Sequence, residues 1–109
     1  MAVKLTTIPN ITVATAGTRL QISSSNIMVN AVFVQAHEDN SGNIYVGDEN
    51  VSANQGTSVG PGQPLQYSGD PTYPLLSEFL LSDVWVDAAT DGDKVRIAYF
   101  KKKKYDSFN

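Results

Sequence analysis

The chain has 109 residues, the size of one domain, and no cysteine, which excludes disulfides, thiolate metal sites and thiol nucleophiles together. Charged residues make up only 17% of it, against the roughly 25% usual for soluble domains. The formal charge of −3 is unevenly spread: residues 1–100 hold four Lys/Arg against ten Asp/Glu, whereas Lys101, Lys102, Lys103 and Lys104 are followed by Asp106 alone.

An acidic body argues against nucleic acid as a partner, because phosphate contacts need a basic face. No apolar run approaches the ~18 residues of a membrane span. The stretch from Met1 to Thr6 lacks the apolar core of an export signal. The expectation is a soluble protein made in the cytoplasm, with no membrane partner.

Alternation with period two predicts short strands along most of the chain. Residues 3–6 and 11–15 are β-branched segments divided by Pro9-Asn10, and Leu20 and Ile22 alternate with Arg19 and Gln21. The longest strand is predicted at 27–36, central because little polar alternation follows Ala31. Residues 38–43, with Gly42 and Asn43 suited to positive φ, predict a hairpin loop whose partner strand returns at 43–47. Residues 48–62 read as a polar, glycine-rich loop ending in a Gly60-Pro61-Gly62 turn that leads into Leu65-Gln66-Tyr67. Residues 68–74 read as an exposed loop, and 75–81 fits either a helical turn or an irregular strand. Strands at 83–88 and 94–100 flank a turn at 88–93.

The predicted fold is therefore all-β: a single-domain antiparallel β-sandwich, jelly-roll- or Ig-like, with seven to nine short strands. Residues 1–100 form the domain and 101–109 a basic C-terminal tail. Trp85, mid-strand between Val84 and Val86, is expected in the core or in a subunit interface.

Few residues suggest chemistry. His37 is the only histidine and reads as a surface residue beside Glu38 and Asp39, since a metal site on such a sandwich needs two or three. With no cysteine and no nucleophile near His37 in sequence, catalysis is not expected, nor is a cofactor. Asp87, Asp91 and Asp93 crowd one turn; a calcium loop is the alternative to a solvated hairpin, but the spacing is not that of an EF-hand. Tyr45, Tyr67, Tyr73, Trp85 and Tyr99 could line a sugar-binding face.

Partner binding is expected at segments that the bare sandwich does not need. One holds Tyr73, Leu75 and Leu76 between prolines and serines. The other holds Lys101, Lys102, Lys103 and Lys104 with Tyr105 and Phe108, a cationic and aromatic arm.

The order Gly42-Asn43-Ile44-Tyr45-Val46-Gly47, Gly60-Pro61-Gly62, then residues 81–88 and Gly92-Asp93-Lys94-Val95, resembles small β-sandwich virion proteins of tailed bacteriophages. The resemblance spans residues 11–100. Residues 68–80 are longer than the pattern, and 101–109 lie outside it. It implies a structural virion protein of the capsid decoration or cement type, made in the bacterial host cytoplasm. Its partner would be the major capsid protein or another virion protein, and it would act as a homo-oligomer, a trimer or dimer. The alternative is a host-surface or glycan-binding module of a phage fibre or tail.

Overall fold

The structure is a computed structural model that describes residues 3–68 and 78–102. Ten strands occur among them: β1 (Val3–Val13), β2 (Leu20–Gln21), β3 (Met28–Val29), β4 (Ala31–Ala36), β5 (Ile44–Gly47), β6 (Thr57–Val59), β7 (Pro64–Ser68), β8 (Phe79–Leu80), β9 (Trp85–Ala88) and β10 (Asp93–Lys102). One 3₁₀ turn, Leu81–Asp83, leads into β9.

The strands form two four-stranded antiparallel sheets, β1-β10-β4-β7 (sheet I) and β2-β9-β5-β6 (sheet II), with a two-stranded β3-β8 ribbon beside them. The pairing is nested: β1 with β10, β2 with β9, β3 with β8, β4 with β7, β5 with β6. The chain is thus one long hairpin, rolled so that β10 also meets β4 and β9 meets β5. This is the jelly-roll form of the double-sheet sandwich.

Inward positions build the core by simple alternation. Val32, Val34 and Ala36 of β4, Val95, Ile97 and Tyr99 of β10, Ile44 and Val46 of β5, and Val86 and Ala88 of β9 are all buried together. Each buried Val or Ile contributes about 1.5–3 kcal/mol by leaving water.

Several local expectations are corrected by the topology. The predicted strand at 27–36 breaks at Asn30, a poor strand former. Asn30 donates its N–H to the Phe100 carbonyl, while Val29 before it pairs with Phe79 in the small ribbon. Residues 38–43 do not close a hairpin, because β4 and β5 lie in different sheets; the loop crosses the sandwich. The turn between β9 and β10 crosses in the same way. Pro9-Asn10 does not divide two strands but sits at a register shift between Ile8 and Ile11 within β1, a bulge on an edge strand, where proline is tolerated. The last strand also runs two residues past its expected end, since Lys101 and Lys102 pair with Lys4 and Val3.

Residues 48–62 contain more order than their composition suggests. Val51 is fully buried and lies against Gly47 and Gly56. At Gly56 φ is +114°, and a Cβ there would come within 2.6 Å of the Val46 carbonyl oxygen, so only glycine fits. The β6 strand follows directly, making β5-β6 a hairpin of neighbouring strands.

Candidate functional site

The aspartates of residues 87–93 are placed by β9, β10 and the crossing between them. They form no solvated hairpin. Asp93 is buried, and its two carboxylate oxygens accept the N–H groups of Ser41 (3.1 Å) and Gly42 (3.0 Å) in the β4-β5 crossing. Asp87 is also buried and accepts the N–H groups of Gly17 (2.9 Å) and Ala88 (2.8 Å). Asp91 accepts the Ala16 N–H at 2.7 Å. The three carboxylates therefore tie the β1-β2 and β4-β5 crossings to β9, β10 and the turn between them, through charge-assisted bonds to backbone. Among the described residues no three His, Asp or Glu side chains converge as a metal cluster.

Gly42 serves this arrangement by closeness. Its φ is not positive, contrary to expectation, but a Cβ would lie 2.7 Å from Thr90 Oγ1. The Asn40 side chain completes the same end, donating to the Lys94 carbonyl and accepting the Lys94 N–H, both at 2.8 Å.

His37 is more covered than a surface residue, with 16% of its side chain exposed. Its Nδ1 accepts the Asp39 N–H at 3.1 Å, and its Nε2 lies 3.5 Å from Glu38 Oε1 and 3.5 Å from an Arg96 guanidinium nitrogen. Arg96 binds the same Glu38 oxygen. The hydrogen bond from Arg96 holds the exposed Glu38 carboxyl below its ordinary range.

The aromatic residues separate. Tyr99 is core, and Tyr67 packs against the core with its hydroxyl 3.4 Å from the Val46 carbonyl oxygen. Trp85 is half-buried outside the core cluster, so of the two places expected for it, core or subunit interface, the core is corrected. In β9, Val86 and Ala88 take the inward positions, which turns Trp85 to the outer face of sheet II. There it lines a groove of about 390 Å³ with Gln21, Asp48, Glu49, Ser82 and Asp83. Tyr45 lies on the same face, in a neighbouring groove with Arg19.

The outer face of sheet I is more apolar. Leu5, Phe100 and Ala31 lie in one row across β1, β10 and β4, and Thr7, Ala98 and Phe33 in the next. Phe33 and Phe100 meet edge to face with ring centres 5.6 Å apart. Leu5 is 54% exposed. A shallow groove of about 270 Å³ runs from Thr7 and Asn10 past Phe33 to Arg96. Alternation in β1 and β10 signals this face, but only the register joins its residues into one surface.

Of the residues expected to bind a partner, Lys101 and Lys102 fall in β10. Tyr73, Leu75, Leu76, Lys103, Lys104, Tyr105 and Phe108 lie outside the described residues. Compared with known families, curated proteins and solved structures, the chain shows no match.

Proposed function

We propose that this protein is a structural virion protein that binds and stabilises a phage head shell as a decoration or cement protein, working as a small homo-oligomer. The observation that carries the reading is the apolar outer face of sheet I, where Leu5, Phe33, Ala98 and Phe100 form one surface on a rigid sandwich. Such a face suits docking on a larger surface. The sequence resemblance supports the same reading, and jelly rolls serve in viral capsid proteins. Binding to the assembled shell alone would stabilise it by RT ln(1 + [L]/Kd) per site.

The groove at Trp85 supports a second reading, a glycan-binding module of a fibre or tail. A half-buried tryptophan beside Gln21, Asp48, Glu49 and Asp83 offers a ring face and polar groups to a sugar. Jelly rolls also serve as lectins.

Co-sedimentation with undecorated capsids tests the first reading. Saturable binding that raises the shell's melting temperature is expected, and Leu5→Asp should weaken it. Absence of binding, with Trp85→Ala abolishing retention on a glycan array, would replace the first reading with the second.

A further inference from the structure

β1 is an edge of sheet I, and among the described residues nothing pairs with its outer side. Edge strands of this length are ordinarily blocked, because their free N–H and C=O groups template another strand. The bulge at Pro9-Asn10 blocks the second half of β1. The first half, residues 3–8, is regular and free of proline.

The charges at this half are unusual. Lys4 stands directly opposite Lys101, and Lys102 occupies the next position of the ladder. Two of the chain's eight basic residues, Lys4 and Lys101, thus share one rung near the end of a strand pair in an acidic protein. Like charges facing each other across a ladder destabilise it. Neither Lys4 nor Lys101 has an ion-pair partner among the described residues. On the other face of the same half-strand, Leu5 continues the apolar row from Phe100 to the open edge.

The geometry points to residues 3–8 of β1 as the acceptor for an added strand: an extended acidic segment of a partner protein, alternating carboxylate and apolar side chains. Its backbone pairs with the free edge. Its carboxylates fall beside Lys4, and its apolar residues fall beside Leu5 and extend the row across the junction. A second copy of β1 fits worse, since it would bring a second Lys4 and a second Lys101 to the same place. The inference rests on the reading that the protein works by binding a partner, and it names that partner's chemistry.

The probe is a fluorescein-labelled heptapeptide alternating glutamate and valine, titrated into the full chain and followed by anisotropy and amide hydrogen exchange. Binding is expected with new protection confined to residues 3–8. Replacing the peptide's glutamates by lysines should abolish it, and salt should weaken it. Lys4→Glu should weaken binding about tenfold, the size expected for reversing one cross-strand charge contact. It also removes the like-charge rung, so folding is retained; Lys4→Gln, with a smaller loss, serves as the second variant. Equal binding of acidic and basic peptides, or protection elsewhere, overturns the inference. So does a dimer of the chain alone protected at residues 3–8, which would make a second copy the occupant. Failure here with capsid binding intact leaves the proposed function standing. Peptide binding without capsid binding does the reverse.

Discussion

The two ends of the β1-β10 ladder are built on opposite principles. At the Val13-Asp93 end, polar side chains are spent on the backbone of crossing loops: Asp93 on Ser41 and Gly42, Asp91 on Ala16, Asn40 on Lys94. At the Val3-Lys102 end, Lys4 faces Lys101, and the buried Thr6 Oγ1 and Asn30 Oδ1 have no hydrogen-bond partner among the described residues. The inward row of β1 records the change, from buried Val13 through half-buried Ile11, Ile8 and Thr6 to exposed Lys4. One end is closed by the chain itself, and the other carries unspent charge and hydrogen-bonding capacity. Buried polar atoms are normally paired, so the second end is where a partner is sought.

The largest expected effect breaks the closed end. Asp93→Ala leaves two loop N–H groups without their acceptor and should cost about 3 kcal/mol, two charge-assisted hydrogen bonds at their usual worth. Urea unfolding measures it, and a loss under 1 kcal/mol would mean that the loops are held by something else.

The open end should respond in the opposite direction. Thr6→Val replaces a buried hydroxyl, unpaired among the described residues, with a methyl group of similar shape on a strand, and should gain about 1 kcal/mol. A loss of stability in the same assay would show that the hydroxyl is satisfied in solution. Lys4→Ala is a smaller test. Relieving the rung opposite Lys101 should change stability by only a few tenths of a kcal/mol, towards stabilisation, and the gain should vanish at high salt.

The smallest effect belongs to Glu38 and Arg96, an exposed ion pair near the closed end. Because the folded carboxyl is held below its ordinary range, the pair's contribution is present above that range. It is lost as pH falls through the lowered value. Arg96→Ala should return the Glu38 titration, followed by NMR, to the ordinary carboxylate position. An unchanged titration would assign the shift to the backbone at Glu38 instead.

The strands themselves were legible because alternation is a local property. Val32, Val34, Val95 and Ile97 declare an inward face wherever the strand is finally placed. The candidate surfaces were less legible. Trp85 between two valines reads as core or subunit interface, and the inward positions of its strand, held by Val86 and Ala88, remove the first. Leu5 and Phe100 are 95 positions apart and become one surface only through register.

From the sequence alone followed an all-β, cysteine-free, single-domain sandwich, with an acidic body and its lysines collected near the C-terminus. Composition and period two are sufficient for that, since they depend on neighbours along the chain. Which turns join paired strands was decided by tertiary structure. Residues 38–43 and 88–93 have the chemistry of hairpin turns, but both cross between sheets, and their strands find partners far away in sequence. A turn specifies a reversal of direction. Whether the returning strand pairs with the previous one or faces it across the core depends on where its apolar side chains can be buried, and only the rolled-up whole supplies that.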